Sequence, residues 1–399
     1  MSMFYRVSTA VISPALVRDL GFTNAQLSDL AAVFFYAFAF SQIPIGIALD
    51  RLGSRITMFF LSIAAVGGAV LFALGQTPGH LILARALLGI GMSGNLMVVY
   101  ALLAVWFPLD RFAFLGGVLV SIGVVGNLLA ATPLTLLSMS IGWRTSFVIF
   151  AVVNALVVAT FLLVVRDRPE SSASVGLQTG SAIAGLGRLF GMYSYWAISV
   201  SQFVRYGYFA ALQSLWAAPF LIYGLGFSEI SSSNAIFALG LGYMISLPLS
   251  GWLSDSLLQS RKNVVLATMF GLWLFTGSVI WWTQTVPVWL VMVTFFGIGV
   301  MAAPGQIMYA HIKELLEPSM VAQAMTAVNL FTVLGAGVMT HVLGFVIGGE
   351  PSELAQASDF SLVWYVGVVT IGLASLMYCF VPESPAFASS GVEKNPDRL

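Results

Sequence analysis

Residues 21–50, GFTNAQLSDLAAVFFYAFAFSQIPIGIALD, decide the fold because they occur twice. Residues 226–255, GFSEISSSNAIFALGLGYMISLPLSGWLSD, repeat them at an offset of 205. The shift superposes Gly21 on Gly226, Phe22 on Phe227, Thr23 on Ser228, Ser41 on Ser246, Gly46 on Gly251 and Asp50 on Asp255. Apolar helices resemble one another by chance, but a constant offset through glycine and charged positions implies two homologous halves. Farther along, GIGM at 89–92 recurs as GIGV at 297–300, and RPES at 168–171 echoes VPES at 381–384.

The composition says what kind of halves these are. Of 399 residues 59% are hydrophobic and 8% charged, and the mean hydropathy is +0.96. Water-facing domains carry about 25% charged residues, so the chain is expected to be a polytopic helical membrane protein in a lipid bilayer. A net charge of zero gives no sign of a nucleic-acid partner. The one cysteine, Cys379, can form no internal disulfide. No basic leader precedes the first apolar run, so a cleaved signal peptide is not expected.

Twelve apolar segments fall near 2–19, 27–49, 56–76, 79–107, 112–137, 144–165, 193–222, 229–253, 263–283, 287–312, 320–347 and 360–381. The Ser/Gly-rich stretch 166–192 separates six from six, giving bundles at 1–165 and 193–381 and a tail at 382–399. With the N-terminus inside, Arg51, Arg55, Arg111, Arg166, Arg168, Arg188, Arg261, Lys262, Lys313, Lys394 and Arg398 are cytoplasmic, against Arg18 and Arg144 outside. This asymmetry predicts both termini in the cytoplasm, in a bacterial inner membrane. The seventh segment is longer than the first at its cytoplasmic end. Either the first helix is short or Met1 lies inside a longer gene product, and the second reading is preferred.

The loop GIALDRLGSR at 46–55 joins the second and third segments. Gly46 is expected to let helices approach, Gly53 to allow a tight turn, and Asp50 to pair with Arg51 or Arg55 or cap a helix. The loop resembles the G-x-x-x-D-R-x-G-R-R/K signature of the major facilitator superfamily, with Ser54 where an arginine is usual. Its second copy, GWLSDSLLQSRK, keeps Gly251 and Asp255 and delays its positive charges to Arg261 and Lys262. The resemblance implies alternating access, with Gly46, Asp50, Arg51, Gly53, Arg55, Asp255 and Arg261 latching the inner side. RALLGIG, beginning at Arg85, resembles the superfamily's R-x-x-x-G-x-G pattern and makes Arg85 a coupling or gating candidate, unless it snorkels outward. Gly116, Gly117, Gly123 and Gly126 mark a close-packing face. Pro133 follows Thr132 rather than glycine, unlike the G-P-x-x-G-G pattern of drug–proton antiporters, which argues against multidrug export.

Two arginines are left inside apolar runs. Arg205 lies eleven residues beyond Ser194, roughly 16 Å deep by helix rise, too far to snorkel easily. Intramembrane arginines generally face cavities and serve function. Ser201, Gln202, Arg205 and Tyr208 share one helical face. Arg6, in the first segment, shares a face with Ser2, Thr9 and Ser13. No Asp or Glu lies at mid-membrane depth: Asp29 is near the outer end of its segment, and Glu314 and Glu317 near the inner end of theirs. An anionic substrate suits such guanidinium groups. Backbone carbonyls, Asn or Tyr are the alternative partners.

YRVSTAVISP, VRYG at 204–207, GWLSD and RDRPES at 166–171 are similar to the organophosphate:phosphate antiporter family. That resemblance implies that Arg6 and Arg205 grip a phosphate. The loop and RDRPES elements are also similar to the anion:cation symporter family. Val7 stands where some phosphate-ester carriers have lysine, which points to a general small organic anion instead. Tyr36, Asn95, Asn127, Asn329 and Thr332 are further cavity candidates. His311 is placed at the inner interface. His341 is a coupling candidate because it lies well inside a span and histidine titrates near neutral pH.

No nucleotide loop, Ser-His-Asp arrangement or metal-spaced Cys/His cluster occurs, so neither enzyme nor cofactor is expected. The expectation is an all-α protein of twelve transmembrane helices in two pseudo-symmetric six-helix bundles, acting as a monomer. It would move a small organic anion, a carboxylate or phosphate ester, by symport or antiport. Lack of a mid-membrane carboxylate favours exchange, or proton entry linked to the substrate, over the carboxylate-based proton symport of sugar carriers. The rivals are a proton- or sodium-driven carboxylate symporter and a non-transporting anion sensor.

Overall fold

The computed structural model describes residues 1–106, 115, 119, 122–165, 188–347 and 360–385. Twelve spans follow one another as expected. They are α1 (Ser2–Leu20), α2 (Asn24–Leu49), α3 (Arg51–Leu74), α4 (Pro78–Val99), α5 (Ile122–Leu129 with Thr132–Ile141) and α6 (Trp143–Val164). The second set is α7 (Tyr193–Ala211, extended by π-helical turns to Gly224), α8 (Glu229–Leu257), α9 (Arg261–Val279), α10 (Val288–Glu314), α11 (Pro318–Ile347) and α12 (Ser361–Cys379). Counted over the described residues, nine are individually long and apolar enough to cross a membrane, and α5 makes ten across a 44° bend. The remaining two, α1 and α7, carry Arg6 and Arg205.

The repeated Gly-Phe-Thr/Ser has a local cause. Gly21 ends α1 in the left-handed region at φ 63°, and Gly226 adopts φ 74° after α7, a conformation that favours glycine. Thr23 then caps α2 by accepting from the Gln26 N–H, and Ser228 caps α8 by accepting from the Ser231 N–H. Each tripeptide stops one helix and starts the next.

Packing repeats too. A Cβ on Gly89 would lie 2.4 Å from the Phe34 carbonyl oxygen, and one on Gly299 2.0 Å from that of Leu239. The two carbonyls differ by 239 − 34 = 205, the repeat offset, so α4 meets α2 as α10 meets α8. Gly46 corrects the sequence reading, since a Cβ there would meet nothing within 4 Å among the described residues. Gly53 behaves as expected: at φ 81° it breaks the helical run between α2 and α3.

The α1–α2 and α7–α8 turns lie on one face, here termed distal, and the α2–α3 and α8–α9 turns on the opposite, proximal face. Across the seam between halves, Arg18 pairs with Glu229 at 2.7 Å and Thr132 donates to Asn234 at 2.7 Å, both near the distal face. Ser28 donates to the Thr340 carbonyl at 3.2 Å, and Asn329 to Gln42 at 2.9 Å toward the proximal end.

Candidate functional site

Arg6 projects from α1 into the seam. Its Nη1 donates to the Tyr206 hydroxyl of α7 at 3.0 Å, and its guanidinium carbon lies 4.5 Å from the Phe38 ring centre, within cation–π range. The side chain is half-buried, and its Nε has no partner among the described residues. Among the described residues no carboxylate lies within ion-pair distance. Thr9 and Ser13, which share its helical face, are fully buried.

Arg205 is placed differently. It is 0% exposed, turned into its own bundle against α10. Pro304 interrupts α10 with a tight turn at Ala303–Gly305 and brings no N–H of its own. Side chains take three carbonyls around this break: Ser246 donates to Val300 at 2.7 Å, Arg205 Nη2 to Met301, and Gln202 Nε2 to Gly305 at 3.2 Å. Arg205 also reaches Thr268 Oγ1 at 3.3 Å. Its Nε and Nη1 find no acceptor among the described residues. The guanidinium thus braces a broken helix while retaining unused donors.

The stripe drawn through Ser201, Gln202, Arg205 and Tyr208 therefore packs within the second bundle rather than lining a wet path. Ser201 donates to the Ala374 carbonyl and Tyr208 to that of Val363, and Gly367 makes room for the Tyr208 ring. The α7 residue that meets Arg6 is Tyr206, beside Arg205 in VRYG. Tyr309 also escaped the sequence reading: its hydroxyl lies 3.3 Å from Asn329 Oδ1 and 2.8 Å from Thr332 Oγ1. Asn329 bridges onward to Gln42 of α2, so Tyr309, Asn329 and Gln42 form a polar link across the seam. Among the described residues Asn95 donates only to the Met92 sulfur at 3.3 Å, and its buried Oδ1 has no partner.

Arg85 does not snorkel. Fully buried, it donates to the carbonyls of Tyr5 and Leu30 at 2.5 and 3.2 Å and stacks on Phe34, fixing α1 and α2 against α4. His311 is not interfacial either: it is buried between the Tyr378 hydroxyl and the Pro382 carbonyl. His341 reaches across the seam, with Nε2 2.9 Å from Asp29 Oδ1 and Nδ1 3.1 Å from the Tyr36 hydroxyl.

On the proximal face Arg261 joins Asp255 and, at 2.9 Å, Glu314. Ser384 donates to Glu314 at 2.6 Å, and Glu383 accepts the N–H groups of Arg261 and Lys262 at the start of α9. Burial raises the Glu383 pKa, but these hydrogen bonds, with those from Ser260 and the Ser384 N–H, outweigh it and leave the carboxyl below its ordinary range. All these partners belong to the second half. In the first half Arg55 donates to the Leu162 carbonyl at 2.8 Å and Arg51 is exposed. The side chain of Asp50, and Gly116, Gly117 and RDRPES, lie outside the described residues.

Comparison with known proteins places this arrangement. Residues 1–215, more than half the chain, match the family model described as Major Facilitator Superfamily. The chain is 24% identical over 411 residues to the "Uncharacterized transporter YybO" of Bacillus subtilis, covering 96% of this chain and 91% of that one. It is 24% identical over 287 residues to the "Probable sulfoacetate transporter SauU" of Cupriavidus necator, covering 68% and 65% respectively. Its fold superposes on the crystal structure of a D-xylose-proton symporter with a TM-score of 0.77 at 17% identity, covering 96% of each chain. The duplicated twelve-helix bundle, with Arg6, Tyr206, Asn329 and Gln42 meeting across its seam, thus belongs to the major facilitator superfamily, and the chain is a membrane transporter rather than an enzyme.

Proposed function

We propose that the protein carries a small organic anion across the membrane by alternating access, with Arg6 as its first anion contact. The observation that carries this reading is the half-buried Arg6 guanidinium, which spans the seam to Tyr206 with no carboxylate within ion-pair distance among the described residues. Guanidinium recognises carboxylate, sulfonate and phosphate oxygens in the same bidentate geometry. Arg205 supplies a second cation once an incoming oxygen replaces the Met301 carbonyl. Relatives named for sulfoacetate and tartrate support an anionic cargo. The proximal face is read as cytoplasmic from its excess of Lys and Arg, and the 1–165 and 193–381 bundles are read as the two moving bodies. The Asp255–Arg261–Glu314 network would steady the proximal ends of α8, α9 and α10 while the bundles rock. Counterflow in proteoliposomes, using carboxylates, sulfonates and phosphate esters in turn, tests the reading. Exchange of at least one class is expected, whereas saturable binding without exchange would identify a sensor.

A further inference from the structure

The chain has three histidines, and they stand in different places. His80 is exposed at the start of α4, and His311 is enclosed within the second bundle. His341 is shared between the halves: its two ring nitrogens face Asp29 Oδ1 at 2.9 Å and the Tyr36 hydroxyl at 3.1 Å, both on α2. We propose that Asp29, His341 and Tyr36 form a proton-binding site whose occupancy is tied to closure of the distal side of the transporter. This rests on the reading of the distal face as external and of the halves as moving bodies, but not on the identity of the cargo.

Among the described residues few groups compete for the imidazole. From α2 it faces Asp29 and Tyr36, with the Ser28 hydroxyl turned to the Thr340 carbonyl. Trp216, in the extension of α7, also donates to the Thr340 carbonyl, at 3.0 Å. Arg205, the cation of α7, is committed to Met301 on α10. α11 itself contains no Asp, Glu, Lys or Arg, and neither does α12.

The site accommodates both protonation states. A neutral ring donates from Nε2 to Asp29 and accepts from Tyr36 at Nδ1. A charged ring donates from both nitrogens, and the tyrosine oxygen turns from donor to acceptor. Only the charged ring forms an ion pair with Asp29. Separating α2 from α11 would take that carboxylate away, so proton binding and distal closure reinforce one another by linkage. Histidine is the side chain whose ordinary titration falls between pH 5 and 8, so external acidification would bias the carrier toward the closed form seen here. The sign is fixed: closure is favoured at acid pH and relaxes as the pH rises.

The test needs no substrate. Spin labels at Ala25→Cys and Ile230→Cys, exposed positions at the distal starts of α2 and α8, are introduced on a Cys379→Ser background in lipid nanodiscs. Electron–electron distances are measured from pH 5 to 8. The expected result is a short-distance population that gains about tenfold over the long-distance one toward pH 5. His341→Gln should abolish the pH dependence, and Asp29→Asn, which preserves side-chain size, should remove most of it. A wild-type distribution independent of pH overturns the proposal. So does an undiminished response in Asp29→Asn, which remains informative if His341→Gln fails to fold. A pH response without any anion exchange would uphold this site while sinking the anion-carrier reading.

Discussion

Arg205 donates its guanidinium to the carbonyl of Met301, one turn ahead of Pro304 in α10. This contact gives the buried cation a structural task and links the centre of the bundle to a helix whose far end carries Glu314, the partner of Arg261. An anion that draws Arg205 from Met301 would loosen the brace on α10 and be felt at the proximal network.

Arg205→Ala should cost about 2 kcal/mol, because it strips a charge-assisted hydrogen bond from a buried carbonyl. Arg6→Ala, at a half-buried position with one hydroxyl partner, should cost less than about 1 kcal/mol. Thermal unfolding in detergent separates them. Equal losses would mean that the bracing role is misassigned.

Tyr206→Phe keeps the ring but removes the acceptor that orients Arg6. The apparent affinity for the transported anion should fall about fivefold, equivalent to about 1 kcal/mol, with little change in stability. Saturation transport kinetics in proteoliposomes read this directly. Unchanged KM would remove Tyr206 from the site.

Gly299→Ala would drive a Cβ to 2.0 Å from the Leu239 carbonyl oxygen. Separating α8 from α10 should cost about 1–3 kcal/mol, measurable as a lowered melting temperature. Gly46→Ala has open space among the described residues and should leave the melting temperature unchanged.

Glu383 caps α9, and its lowered pKa sets the sign of its pH dependence. Its stabilisation is complete above the ordinary glutamate pKa of about 4.3 and is lost as the pH falls through the lowered value. Partial exposure limits the effect to about 1 kcal/mol. Wild type should therefore be more stable than Glu383→Gln at pH 7, and the two should converge toward acid pH. A constant difference across that range would contradict the cap.

The spans and the duplication were legible because apolar length and a 205-residue offset are properties of the sequence alone. Arg6 and Arg205 were legible as anomalies of depth, but their partners were not. A helical wheel groups Arg205 with Tyr208 without telling which face turns toward the other bundle, and the seam proved to lie on the side of Tyr206. Pro304 was the available signal for Arg205, since a mid-span proline leaves carbonyls in need of a donor. Asp29 and His341 stand 312 residues apart, and no local pattern announces their pairing.

The central claim is that Arg6 holds the anion. Binding of a transported anion to purified wild type, Arg6→Ala and Arg6→Lys, measured by calorimetry at low ionic strength, tests it most directly. The account predicts at least a tenfold loss of affinity in Arg6→Ala, about 1.4 kcal/mol. Arg6→Lys should recover only part of it, because a lysine cannot grip two oxygens with a planar fork. Wild-type affinity in Arg6→Ala would contradict the account.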